Sequence, residues 1–218
     1  MRMQRLEQWM MRSPLRRWML RRLEAPRVLS GLDLPAGARV LEVGCGDGYG
    51  ALVAGRRLSG AEIVGLDVDA AMLRAARRTL ARPPRWAGAG PGAVAGRVRL
   101  VLGDATTLSF AEGTFQAALL FGVLHHIGDW RRAVAEVCRV LVPGGVFAFE
   151  EALLSARPWW LNRWWGHVPF EADEVRQALV EAGFEVRRFE RGRFPPMCYA
   201  LAVKPLAARV AAEPGMSG

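Results

Sequence analysis

The stretch Val40–Gly50, VLEVGCGDGYG, decides the fold. A short apolar run ends in the turn Gly44-Cys45-Gly46-Asp47-Gly48, and helical periodicity takes over at Tyr49. Glycines let the backbone turn sharply and approach a ligand closely, while the following helix presents its N–H groups at the same place. Strand, glycine turn and helix in that order form the opening unit of a ligand-binding α/β sheet.

The pattern continues outward from this unit. Strand-like apolar runs recur at Ala38–Val43, Ala61–Asp67, Val98–Leu102, Phe115–Phe121 and Val146–Glu150, with helix-like segments near Tyr49–Leu58, Ala70–Ala81 and Trp130–Leu141 between them. The runs are almost continuously apolar, as in a parallel sheet covered on both faces. Strand–helix alternation of this kind predicts a doubly wound α/β sheet. The loop Arg82–Arg97 is rich in Pro, Gly and Ala. An amphipathic helix is expected around Glu171–Ala182, stopped by Gly183. Phe184–Phe189 and Met197–Val203 then read as a strand pair, and the end of the chain as a loose tail.

A glycine turn also serves nicotinamide-binding proteins, so its neighbours carry the distinction. The dinucleotide pattern requires glycine or alanine where this chain has Tyr49, whose side chain would crowd a pyrophosphate. Glu42 suits a ligand carrying an ammonium and a sulfonium better than one carrying phosphates. The dinucleotide reading stays as the weaker alternative. Asp67, closing the second run, could accept hydrogen bonds from both hydroxyls of a ribose. Asp69, just before Ala70, reads better as a helix N-cap. After the third run, Gly103-Asp104-Ala105 offers an acceptor for an adenine amino group and a backbone N–H, although Asp104 alone could be a simple turn residue.

Five segments taken together resemble the successive motifs of class I S-adenosylmethionine-dependent methyltransferases: VLEVGCGDGYG, VGLDVDAAML, GDATTLSF, FQAALLFGVLHHIGDW and RVLVPGGVFAFEE. Their order and spacing are similar to the subgroup that includes ubiquinone/menaquinone-type and many small-molecule enzymes. The resemblance spans about residues 25–203. It implies a Rossmann-like, seven-stranded, mostly parallel sheet with an antiparallel last strand, supplied by Met197–Val203, and S-adenosylmethionine as methyl donor. The donor site expected on this basis comprises Glu42, Gly44, Cys45, Gly46, Asp67, Val68, Met72, Asp104, Ala105 and Phe121. Gln116 departs from the family's usual Asp, with a small structural effect expected.

Methyl transfer is an in-line displacement at an activated carbon, so alignment is the protein's main task. A base is needed only for an acceptor that arrives protonated. His125 and His126 are the first candidates, followed by His167, Glu150 and Glu151, because a histidine titrates near neutrality. Against that, the LHHI turn recurs in relatives with unrelated substrates and could be structural. No metal ligands are assigned. The loop after strand 4 lacks the Asn/Asp-Pro-Pro-aromatic signature of amine and amide methylation and the Pro-Cys nucleophile of pyrimidine methylation, so no nucleic-acid substrate is expected.

Composition is that of a soluble globular chain: 218 residues, 51% hydrophobic and 23% charged, with a net charge of +9. Residues 1–30 hold eight arginines against Glu7 and Glu24, a local net of +6. Cys45, Cys138 and Cys198 show neither metal-ligand spacing nor a disulfide framework, which suits a reducing cytoplasm. No secretory signal is visible, and Phe115–Leu124 is far too short to span a bilayer as a helix.

The expected organisation is a basic helical segment over 1–30, the methyltransferase domain over 31–204, and a tail over 205–218. The N-terminal segment reads as two short helices broken near Ser13-Pro14. In the second, Leu15, Trp18, Met19 and Leu23 share one face, with Arg16, Arg17 and Arg21 largely elsewhere. It could cap the donor site with its basic face solvated, or lie on an anionic membrane surface as a peripheral contact. The Trp-rich insert 152–170 carries Trp159, Trp160, Trp164 and Trp165, with Arg157, Arg163 and His167 interspersed. It fits either a pocket for a small or lipid-like hydrophobic acceptor or simple lid packing. A donor-binding regulatory protein without catalysis is the alternative from another class.

Overall fold

The computed structural model describes residues 13–88, 94–155, 158–193 and 196–206. Residues 1–12 of the basic segment, Arg157 of the insert and most of the tail therefore lie outside the described residues.

Seven strands form one sheet: β1 (Arg39–Val43), β2 (Glu62–Asp67), β3 (Val98–Leu102), β4 (Phe115–Phe121), β5 (Leu141–Ala152), β6 (Glu185–Arg193) and β7 (Pro196–Val203). Their spatial order is β3-β2-β1-β4-β5-β7-β6. The pairs among β1 to β5 are parallel, and β7 runs antiparallel to both β5 and β6. The expected architecture and the reversed last strand are both present. Strand β5 starts five residues earlier than the apolar run suggested, because Leu141 pairs with Phe115 before a register shift. Strand β6 extends past Phe189 to Arg193 by pairing with β7.

Strand alternation feeds two cores. Leu41, Val43, Val64, Leu66, Ala118 and Leu120 face one side, where α5 (Trp130–Val140) and α7 (Ala172–Glu181) cover them. Val40, Ile63, Ala117, Leu119 and Phe121 face the other, against α3 (Tyr49–Arg57). Burial on both faces is what removes the polar alternation from these strands. Helix α4 (Ala70–Ala81) begins at Asp69, whose Oδ1 accepts the Ala71 N–H at 2.7 Å, the expected N-cap. Glu171 and Glu174 form a capping box at the start of α7, and Gly183 takes a φ of +93° just beyond its end. Gln116 Oε1 accepts the Arg39 N–H at 2.8 Å, tying β4 to the start of β1.

The N-terminal helix departs from the expectation. Ser13 caps α1 (Pro14–Met19), which continues through a π-helical turn, Leu20–Glu24, into α2 (Ala25–Val28). Leu20, Ala25 and Val28 join the core beside α3. Leu15, Trp18 and Leu23, three of the four residues expected on one apolar face, are 66%, 50% and 47% exposed, so that face does not pack onto the sheet. Arg16 and Arg17 instead turn inward, because carboxylates wait for them: Arg16 pairs with Glu24 and Glu150, and Arg17 with Asp47. Among the described residues, no helix is long and apolar enough to cross a membrane.

Candidate active site

The chain runs from β1 outward to β2 and β3, then returns to lay β4 on the other side of β1. Such a reversal opens a crevice beyond the strands' C-terminal ends. Here it holds a cavity of about 400 Å³. All ten residues expected at the donor site line it: Glu42 from β1, with Gly44, Cys45 and Gly46 from the turn that follows; Asp67 at the end of β2, with Val68 and Met72 beyond it; Asp104 and Ala105 after β3; Phe121 from β4. Arg16, Arg17 and Leu20 from the N-terminal helix close the wall, and His126 lies at the β4 end.

The glycine turn is held by close approach. Gly44 has a φ of +68°, and a Cβ there would stand 2.5 Å from the Val123 side chain. At Gly50 a Cβ would overlap Glu42 Oε1, so glycine leaves the space that the carboxyl fills. Glu42 is buried, and its Oε2 has no hydrogen-bond partner among the described residues. Burial, then the neighbouring carboxylates of Asp47 and Asp67, pushes its pKa well above the usual carboxylate range. An unpaired buried acceptor among other carboxylates is a place for a cationic ligand group.

Asp67 accepts the Gly46 N–H at Oδ2 and the Asp69 N–H at Oδ1, each at 2.8 Å. Those bonds fix the carboxylate and leave it further lone pairs toward the cavity. Burial raises its pKa, and the amides from Asp69 and Gly46 offset part of that rise. Asp104 does make a turn, since Oδ1 accepts from both the backbone N–H and the hydroxyl of Thr106 at 2.8 Å. These bonds hold its pKa below the usual value, so it presents a charged acceptor at the rim. Cys45 packs its thiol against Gly65 of β2, and burial raises its pKa well above the thiol norm. It is therefore an inert wall group.

Consecutive strand residues point to opposite faces, which separates Glu150 from Glu151. Glu151 is wholly buried and accepts from the backbone N–H groups of Val123, Leu124 and Ala152 and from His125 Nδ1 at 2.5 Å. It pins the turn after β4. Glu150 faces the N-terminal helix, where Arg16 Nη2 approaches its Oε1 at 3.6 Å. Burial, then the Glu24 carboxylate, raises the Glu150 pKa well above its norm.

His126 reaches the cavity, while His125 stands behind it on Glu151. Burial, then the adjacent rings of His125 and His167, lowers the His126 pKa to about 2. As placed, it is a neutral imidazole with little capacity to take a proton near neutrality. The approach of His167 to this pair, and the inward turn of Arg16 and Arg17, carry no signal in sequence spacing.

The comparisons with known proteins bear on the same strands. A family model described as a methyltransferase domain matches residues 41–149, from β1 through β5. The chain belongs to this methyltransferase domain family. Its five motifs, read as those of the class I S-adenosylmethionine-dependent group, lie within or around the matched span. The methyltransferase domain is 30% identical over 187 residues to O-methyltransferase resE of Aspergillus sclerotiorum, covering 81% of this chain and 66% of that protein. It is 32% identical over 141 residues to the 2-phytyl-1,4-naphtoquinone methyltransferase of Thermosynechococcus vestitus, covering 61% and 57%. The chain thus spans less than two thirds of either relative's length. A solved SAM-dependent methyltransferase from Aquifex aeolicus superposes with a TM-score of 0.73 at 16% identity, covering 93% of this chain and 100% of that one, which shows the shared fold.

Proposed function

We propose that this methyltransferase domain binds S-adenosylmethionine in the cavity and transfers its methyl group to a small hydrophobic acceptor at O, N or C. The observation that carries the reading is Glu42, a buried carboxyl with an unpartnered oxygen in a site otherwise fitted for a nucleoside. Glu42 would take the ammonium, Asp67 the ribose hydroxyls, and Asp104 with the Ala105 N–H the adenine edge. When bound, this donor supplies an electrophilic methyl carbon on a sulfonium. The chain's own contribution is positioning, which can be worth roughly 7–11 kcal/mol of barrier. Leu20 and Phe121 give that cavity apolar walls, and the inward arginines close its edge. Transfer to oxygen is supported by the likeness to an O-methyltransferase, and a quinone-type acceptor by the likeness to a naphthoquinone methyltransferase.

The test is a screen of hydrophobic phenols, quinols and amines with methyl-labelled donor. Label recovered in the organic phase supports the enzyme. Donor binding without transfer to any acceptor would favour a regulatory donor-binding protein.

A second reading, work at an anionic membrane surface, rests on one face of the N-terminal helix. Leu15, Trp18 and Leu23 are exposed there. Beside Trp18 lies a groove lined by Arg17, Arg21, Arg78, Arg82 and Trp86 and by no carboxylate. Apolar anchors beside a basic groove match an anionic headgroup layer. Co-sedimentation with anionic but not zwitterionic vesicles, lost at high salt, is expected; equal recovery with both would remove this reading.

A further inference from the structure

Three histidines meet where the cavity ends, and the donor site does not use them all. His125 and His126 come from the turn after β4, and His167 follows α6 (Trp159–Trp165), 41 positions further along the chain. Their ring centroids are 4.1 Å apart for His125–His126 and 4.8 Å for each pair with His167. One ring nitrogen from each lies within 4.8 Å of the others. The two segments are held together by the Val168 N–H donating to the His125 carbonyl at 2.8 Å.

The set has the parts of a transition-metal site. Glu151 engages His125 Nδ1 and so leaves Nε2 as the free nitrogen of that ring. A carboxylate behind an imidazole is the usual support that orients a metal-bound histidine. Glu151 itself is taken up by four N–H donors, so it serves as support rather than as ligand. Zinc–nitrogen bonds of about 2.0–2.1 Å put tetrahedral ligand nitrogens about 3.3 Å apart. The widest pair here would have to close by roughly 1.5 Å, a shift within reach of side-chain rotation. Three nitrogens and no carboxylate oxygen suit zinc, iron, nickel or copper, and do not suit magnesium or calcium.

We propose that His125, His126 and His167 bind one divalent transition-metal ion, with an open coordination position facing the cavity beside His126. Three protein ligands and one open position are the arrangement of catalytic rather than structural sites. An acceptor carrying a phenol or enol oxygen at its reacting end would bind the ion there and release its proton to water. That consequence depends on the methyl-transfer reading above; the metal site itself does not.

The test uses untagged, metal-stripped full-length protein with no methyl donor present, so a failure of donor binding leaves its outcome untouched. Cobalt(II) is titrated by visible absorption and zinc(II) by competition against it. The expected result is one equivalent bound, with nitrogen-ligand d–d bands, and a dissociation constant raised tenfold or more by either His167→Ala or His126→Ala. Thermal melting of the metal-free variants checks that they fold. Binding below one tenth of an equivalent by the parent protein would overturn the site. So would folded variants that bind cobalt as the parent does. If neither alanine variant folds, the parent's spectrum decides: thiolate charge-transfer bands in place of nitrogen-ligand bands would move the ion to a cysteine and overturn the proposal.

Discussion

Arg17 of the N-terminal helix is ion-paired with Asp47 of the glycine turn, so the helix is fastened to the loop that shapes the cavity. The same guanidinium lies over the Tyr49 ring, 5.0 Å from its centroid. Asp47 is buried, and removing its cation leaves an unpaired carboxylate acting on Glu42. Hydrogen bonds to charged groups contribute about 1.5–3 kcal/mol. Arg17→Ala is therefore expected to lower stability by about 2 kcal/mol and to expose the helix to trypsin at Arg21 and Arg22. Arg17→Lys should recover part of the loss. Limited proteolysis with a thermal melt checks both, and an unchanged cleavage rate in Arg17→Ala would mean the pair does not fasten the helix.

Glu42 predicts a proton linked to donor binding. Its pKa is raised in the free fold, so its contribution to stability is fully present below the ordinary carboxylate range and is lost as pH rises through the raised value. A bound ammonium reverses the preference and expels the proton. Donor affinity should rise with pH until Glu42 is ionised in the free protein. Calorimetry in two buffers of different ionisation enthalpy should show proton release, absent in Glu42→Gln. Identical heats in both buffers for the parent protein would detach Glu42 from the ammonium.

Gly50→Ala sets two effects against each other. Alanine in the first turn of α3 favours the helix by about 1 kcal/mol. Its Cβ would overlap Glu42 Oε1, and overpacking of this kind costs about 1–3 kcal/mol. The clash should win, with lowered stability and weakened donor binding as Glu42 is displaced. Denaturant unfolding and a donor titration measure the two outcomes, and a stabilised variant with unchanged affinity would contradict the packing described.

The sheet was legible because its central strands are buried on both faces, which writes them as apolar runs, and because glycines mark the turn after β1. The residues lining the cavity were legible for the same reason: all of the ten but Met72, which lies in α4, sit at or just beyond strand ends that those runs locate. Charge pairing was not. Periodicity sees Arg16 and Arg17 as a solvated face; their partners Asp47 and Glu150 are distant in sequence and become neighbours only after β1, β4 and β5 assemble. His167 was named as a candidate base, but its place beside His126 was hidden likewise, since no spacing relates the two. The opposite roles of Glu150 and Glu151 follow from strand alternation, but only once β5 is known to run on to Ala152.

Asp67 offers the most direct test of the donor site. Its carboxylate is fixed by the Gly46 and Asp69 amides at the end of β2 and faces the cavity. Calorimetric titration of S-adenosylmethionine into the parent protein and Asp67→Ala, with Asp67→Asn to preserve the shape of the loop, measures its role. The expected result is one donor bound per chain, with affinity weakened about thirtyfold, or about 2 kcal/mol, in Asp67→Ala. No binding by the parent protein, or equal affinity in the folded alanine variant, would contradict the account.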